Sequence, residues 1–191
     1  MAKALSHQEG QTPIDDLSGL CIPITKRGEL DIAEYKNNIK AAKKYLLKKL
    51  TDKNAPFTPD FFNRVHRDMF EEVWSWAGKA RRTGKSVGVE AYKIGFEMNR
   101  LIHDIGIWEK QKKPVREIAA RIHHRLAWIH PYENGNGRFA RMITNIYLHK
   151  RNKLAIAWPK DQDHFRRRYL DALKKADSGD FESILKLHEG L

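Results

Sequence analysis

Residues 114–150 read PVREIAARIHHRLAWIHPYENGNGRFARMITNIYLHK, and this stretch decides the architecture. Val115, Ile118, Ala119, Ile122, Leu126 and Ile129 recur at the spacing of one apolar helix face. Phe139, Met142, Ile143, Ile146 and Tyr147 repeat the pattern further on. Pro114 suits a helix start. Pro131 disfavours helical geometry at the residue before it, so the first helix ends at Ile129 or His130. The second begins near Asn136 or Gly137. Pro131 to Gly135 therefore form a tight loop between two helices, each with an apolar face to bury. The spacing predicts a helix hairpin.

The rest of the chain extends this α-helical pattern. Ile39, Ala42, Leu46, Leu47 and Leu50 form one stripe. Phe62, Val65, Met69, Val73 and Trp76 form another, entered through Thr58 as N-cap with Pro59 at the first helical position. Met98, Leu101, Ile102 and Ile105 give a third. Phe165, Tyr169, Ala172, Leu173 and Ala176 follow the hairpin, and a short stripe of Phe181, Ile184 and Leu185 closes the chain. Gly78 to Tyr92 breaks the period. It is basic, carries Gly84 and Gly88, and alternates Val87 with Val89, which predicts a small hairpin or an ordered surface loop. Residues 1–24, with Gly10, Pro13, Gly19 and Pro23, read as an irregular arm ahead of one all-α domain over 25–191.

Composition narrows the class. A length of 191 residues suits one domain, and 41% hydrophobic with 10% aromatic residues supports a packed core. Cys21 is the lone cysteine and cannot form an internal bridge, which suits a reducing compartment. No apolar run is long enough for a membrane span, and MAKALSHQEG lacks the apolar run of a signal peptide, so a cytoplasmic protein with no membrane partner is expected. Thirty-six Lys and Arg against 24 Asp and Glu give a net charge of +12, which favours anionic partners. The basic residues lie in scattered short clusters, no DNA-reading motif is visible and the aromatics fall on core stripes. A basic nucleic-acid-binding helical protein is therefore an alternative, with nucleic acid not the expected partner. A metal hydrolase fares worse, because adjacent His123 and His124 point about 100° apart on a helix.

The loop carries the chemistry. Gly135 and Gly137 let a ligand approach the backbone closely. A helix N-terminus presents unpaired amides and a partial positive charge, so the start of the second helix can cradle an anion. Arg138 and Arg141 are three apart and reach neighbouring surface, where both can meet phosphate oxygens. His130 stands at the mouth of the same loop, able to take a proton near neutral pH. The spacing puts an anion site beside a base without naming the anion.

The segment HPYENGNGRFAR, His130 to Arg141, resembles the signature of Fic proteins, H-P-F-x-D/E-G-N-G-R-x-x-R. His130, Pro131, Gly135, Asn136, Gly137, Arg138 and Arg141 agree with it, and Tyr132 is a mild change at the aromatic position. Trp76-Ala77-Gly78-Lys79, and Tyr169-Leu170-Asp171-Ala172-Leu173 followed by Gly179-Asp180, also look like Fic proteins. Gly10-Gln11-Thr12-Pro13 and Thr25 to Leu30 look like the bacterial subgroup called mobile mystery protein B. The resemblance implies a Fic domain over 25–191: a helical bundle around a central helix hairpin, with a short β-hairpin flap at about 82–92. It implies a protein adenylyltransferase that uses ATP with Mg²⁺ or Mn²⁺ and transfers AMP to a Ser, Thr or Tyr hydroxyl of a target protein, as a bacterial toxin-like or regulatory enzyme. By the same likeness His130 is the general base, and Asn136 with the amides around Gly135 and Gly137 forms the anion hole. Arg138 and Arg141 hold the outer phosphates. Thr83, Gly84, Lys85, Ser86, Val87, Gly88 and Val89 of the flap pair with an extended segment of the target.

Two departures from the family pattern matter. The acidic, metal-binding position is Asn134 here, with Glu133 one residue earlier as a weaker substitute; an amide oxygen can ligate Mg²⁺ but adds no charge. Thr25 and Glu29 have the spacing of the family's inhibitory Ser/Thr-xxx-Glu-Gly/Asn segment, but Leu30 follows. Helix capping is the preferred role for Glu29, and a separate antitoxin is another route to restraint. Transfer of UMP or of phosphate, as in the Doc branch, is the alternative activity; Gly137 argues against Doc, whose signature tends to carry Lys there.

Overall fold

The computed structural model describes residues 17–158 and 162–189, with side chains in the second span from Phe165 onward. Among the described residues the chain forms seven α-helices: α1 (Arg27–Leu46), α2 (Pro59–Phe70), α3 (Ile94–Lys110), α4 (Val115–Ile129), α5 (Asn136–Lys150), α6 (Gln162–Asp177) and α7 (Glu182–His188). The α4–α5 hairpin is the centre, as the periodicity of 114–150 predicts. α5 packs against α4, α1 and α2, while α4 also meets α3, α6 and α7. Ile118, Ile122, Leu126 and Ile129 of α4 and Phe139, Ile143 and Ile146 of α5 are fully buried. Each such side chain contributes roughly 1.5–3 kcal/mol by leaving water. No described helix is long and apolar enough to cross a membrane.

α2 begins as the sequence dictates. Thr58 Oγ1 accepts from the Phe61 amide at 3.1 Å, and Pro59 occupies the first turn. α1 departs from its expected face. Leu30, Glu34, Asn37, Ala41 and Tyr45 point inward, while Ile39 and Leu47 of the predicted stripe are exposed. An apolar count misses this face because two of its five positions are polar. α6 and α7 enclose a smaller cluster of Ala172, Ala176, Ile184 and Leu187 against Ala120 of α4.

The flap is not a β-hairpin. Residues 80–90 contain no strand, and the described residues show only an isolated bridge, Leu20 with Trp74. The physical reason is where the polar groups go. The amides of Arg81 and Val89 donate to Pro131 and Ile129, and the carbonyls of Thr83 and Val89 accept from the Arg81 guanidinium. The groups a ladder would pair are turned to the hairpin loop and to one side chain instead. Of the N-terminal arm, residues 1–16 lie outside the described residues. Residues 17–24 are irregular and pin to the α2–flap connection through Cys21 N to Val73 O at 2.9 Å and Ser75 N to Gly19 O at 2.8 Å.

Candidate active site

α4 ends on a left-handed residue: His130 has φ 53° and ψ 60°, and its amide still reaches Leu126 O at 3.1 Å. The loop that follows is braced from within. Asn136 Oδ1 accepts from the Tyr132 amide at 2.9 Å, and Asn136 Nδ2 donates to Tyr132 O at 2.8 Å. The Asn136 side chain, expected in the anion hole, is occupied in closing the loop. Asn134 Oδ1 accepts from the Gly135 amide at 2.6 Å. Gly135 has φ 77° and faces the Phe70 ring so closely that a Cβ would collide with it.

The loop is anchored below by Tyr132 together with Asn63 and His66, two residues the sequence did not single out. Tyr132 is buried, donates to Asn63 Oδ1 at 3.0 Å and stacks on His66 with ring centroids 3.7 Å apart. His66 Nδ1 accepts from the Gly78 amide at 2.9 Å, so its proton sits on Nε2, which donates to Asn134 O at 3.1 Å. Burial pushes the His66 pKa from 6.5 down to about 3. The unfolded chain therefore binds one more proton than the folded one between those values. The stability His66 contributes is complete above pH 6.5 and is lost as pH falls toward 3. On this group alone the protein is expected to be about 2 kcal/mol less stable at pH 5 than at pH 7. Urea unfolding at the two pH values checks this, and buried His123 and His188, whose pKa values burial also lowers, act in the same direction.

The start of α5 is electropositive. The amides of Asn136, Gly137 and Arg138 carry no hydrogen bond among the described residues, as expected of a first turn. Arg138 lies over Phe70, its Cζ 4.8 Å from the ring centroid, and donates through Nη1 to Glu34 Oε2 at 2.5 Å. Glu34 is 1% exposed, and its other oxygen accepts from Trp74 Nε1 at 2.7 Å. One edge of Arg138 is thus fixed by a buried carboxylate. Arg141 differs. It lies near the rings of Trp158 and Tyr169, at 5.7 and 6.0 Å, with no carboxylate or hydrogen-bond partner among the described residues. Burial lowers its pKa, and the cations Arg138 and Arg166 act in the same direction. Among the described residues this guanidinium and the neighbouring amides lack an anion, which suits an anionic ligand. Tyr169 stands over Gly137, its hydroxyl held by His123 Nε2 at 3.0 Å.

His130 stands at the other end of the loop, as the C-cap of α4. Burial lowers its pKa, partly countered by a hydrogen bond to the Ala127 backbone, while the charges of Arg81 and Lys85 lower it further. Its ring is neutral at pH 7 and free to accept a proton. The flap covers this end: Lys85 pairs with Glu133 at 2.7 Å, Thr83 Oγ1 donates to Glu133 Oε1 at 3.4 Å, and Gly88 packs on His130. An open cleft lies alongside, lined by Val87, Gly88, His124, Ala127, Trp128, Leu173 and Asp177.

Gly137, Arg138 and Arg141 stand on the first turns of α5 with Gly135 as its N-cap, and His130 ends α4 on the other side of the loop. Glu133 is turned to the flap, and the described residues hold no cluster of three His, Cys, Asp or Glu able to bind a metal. Glu29 lies at the α1 N-terminus, accepting from the amides of Thr25 at 3.0 Å and Lys26 at 3.1 Å, and none of its hydrogen bonds reaches Arg141. Glu34, His66 and Arg81 escaped the sequence reading.

Residues 56–148 match the Fic/DOC family. A protein adenylyltransferase Fic of Aedes aegypti is 28% identical over 152 residues, covering 76% of this chain but 30% of the mosquito protein, so the chain spans about a third of that relative's length. A probable protein adenylyltransferase, y4lH, of Sinorhizobium fredii is 30% identical over 136 residues, 64% of this chain and 67% of that one. Among solved structures, Fic-1 (residues 134–508) from C. elegans superposes with a TM-score of 0.72 at 22% identity, covering 90% of this chain and 51% of that one. BepC from Bartonella tribocorum, with AMPPNP bound, superposes with a TM-score of 0.68 at 18% identity, covering 87% and 88%. The loop residues, the sequence match and the shared fold agree: the chain belongs to the Fic/DOC family.

Proposed function

We propose that the chain is a protein adenylyltransferase, which transfers AMP from ATP to a side-chain hydroxyl of a target protein. The observation that carries this is Arg141, a guanidinium without a carboxylate among the described residues, beside the α5 amides and across the loop from the neutral base His130. The names of the mosquito and rhizobial relatives support it. In the step proposed, the acceptor oxygen bonds to the α-phosphorus, the bond from that phosphorus to the β-phosphate oxygen breaks, and pyrophosphate leaves. His130 takes the hydroxyl proton on the ring nitrogen not engaged with Ala127. Arg141, the exposed edge of Arg138 and the α5 amides hold the departing charge; positioning and charge neutralisation are what this chemistry asks of a protein. The cleft lined by Val87, Trp128 and Leu173 offers apolar walls for the nucleoside, and the flap offers its edge to an extended segment of the target. Exposed, unpaired Cys21 supports a reducing cytoplasm as the setting.

A divalent cation suits the donor set only weakly. Asn134 Oδ1 is the neutral hard oxygen that would hold Mg²⁺, and it already accepts from Gly135 N–H. Glu133, tied to Lys85, is the poorer donor. The cation would neutralise phosphate charge when bound. Asn134→Asp is therefore expected to lower the Mg²⁺ concentration needed for half-maximal nucleotide binding, read by calorimetry at fixed ATP; an unchanged requirement would remove position 134 from the metal site. With Glu29 engaged at the α1 N-terminus, this reading assigns restraint to a separate antitoxin protein. Mass spectrometry of proteins incubated with the enzyme and each nucleoside triphosphate tests the activity. An added AMP from ATP supports it, and an added UMP or bare phosphate replaces it with the other chemistry.

A further inference from the structure

We infer that Arg81 is a positioning residue that locks the flap to the catalytic loop, so that His130 and the target-binding edge are held as one unit. The inference rests on the proposed activity for its catalytic meaning, but the lock itself is a matter of geometry. Arg81 is 3% exposed and pairs with no carboxylate among the described residues. Each of its three guanidinium nitrogens donates to a carbonyl. Nε donates to His130 O at 2.7 Å, Nη1 to Thr83 O at 2.8 Å, and Nη2 to Val89 O. Its own amide donates to Pro131 O at 2.9 Å, and the Val89 amide donates to Ile129 O at 3.4 Å. One side chain thus closes the flap on itself, from Thr83 to Val89, and ties it to the general base.

The chemistry of the residue explains why it is an arginine. A buried cation without a counter-ion is costly unless its donors are matched by dipoles. Here three carbonyls surround a planar fork whose donors point apart, a set a lysine ammonium cannot span from one nitrogen. The bond to His130 O also falls on a strained residue. A left-handed backbone costs about 1–2 kcal/mol outside glycine, and such residues persist only where surroundings over-determine them. Gly88 completes the joint from the flap side. It has φ 93°, and a Cβ there would collide with His130 Cβ and crowd Ile129 O and Arg81 Nη2. The flap therefore lacks a strand ladder but not order.

The test separates the lock from the activity. In Arg81→Lys, which keeps the charge and loses the fork, the Val89 amide is expected to exchange with deuterium at least about tenfold faster, with interior amides of α4 and α5 unchanged. This arm needs no catalysis, so it decides the lock even if the wild-type chain transfers nothing and the proposed activity falls. For transfer, kcat is expected to drop about 10²-fold with the ATP dissociation constant within about twofold, the signature of a base displaced by roughly an ångström. Gly88→Ala opens the same joint from the other side and serves if Arg81→Lys folds poorly. Its kcat loss should be similar, and the double variant should lose little more than either single one, because both remove one contact. Unchanged Val89 protection in Arg81→Lys overturns the lock. So does a uniform loss of protection with ATP binding lost, which would make Arg81 a residue of the fold alone. Fully additive kcat losses would separate Arg81 from Gly88 and overturn the joint.

Discussion

Replacing His130 with alanine is expected to lower nucleotidyl transfer by about 10²–10⁴-fold, the range for losing a positioned general base, while leaving the fold and nucleotide affinity intact. His130 is the last residue of the α4 turn, not a core side chain: its backbone hydrogen bonds to Leu126 O and from Arg81 Nε survive the change. The phosphate-facing groups, Arg141 and the α5 amides, lie on the far side of the loop. His130→Asn is the companion variant, since asparagine tolerates the left-handed backbone better than alanine and cannot accept the proton. The pH dependence follows from the same residue. Burial holds the His130 pKa below its ordinary 6.5, so the wild-type rate should stay level on acidification from pH 8 and fall only below about 6.5. Single-turnover transfer, thermal melts and calorimetry together check the claim. A variant with normal turnover would take His130 out of the mechanism.

Arg141→Ala is expected to weaken ATP about 10- to 10²-fold and AMP little, because the lost charge-assisted hydrogen bonds, roughly 1.5–3 kcal/mol, fall on the outer phosphates. Its effect on the unliganded protein should have the opposite sign or none. Removing a half-buried cation that has no carboxylate partner among the described residues relieves a desolvation penalty. Arg138→Ala will not read so cleanly, since it leaves the buried Glu34 carboxylate without its cation, a loss of about 3–5 kcal/mol in comparable cases. Titration of both variants with ATP and AMP, alongside urea melts, separates the two arginines. Equal loss for both nucleotides in Arg141→Ala would place that side chain elsewhere on the ligand.

The contrast between these arginines marks how far the sequence could be read. Helical periodicity in 114–150 located α4 and α5, and Pro131 with Gly135 located the turn between them, because those signals are local. The spacing of Arg138 and Arg141 placed both on the first turns of one helix, and α5 carries them there. What Glu34 does was not, because a helix of mean polar character can bury a carboxylate only when a partner from another element awaits it, and Arg138 lies far along the chain. For the same reason the α1 stripe was assigned to Ile39 and Leu47, which are exposed. Val87 and Val89 alternate as a strand does, yet Arg81 takes the carbonyls of Thr83 and Val89, and the hairpin never forms. His66 sits on an apolar helix face, where nothing local distinguishes a packed histidine from one that orders a catalytic loop through Asn134 O.

The central claim is that this site moves AMP, and the fate of the two ends of ATP tests it most directly. Wild-type chain is incubated with a candidate target or lysate and ATP labelled on either the α- or the γ-phosphate. The account predicts that α-label becomes fixed to protein, that γ-label leaves as pyrophosphate, and that His130→Ala fixes neither. Protein that carries γ-label and no α-label would show phosphate transfer instead and contradict it.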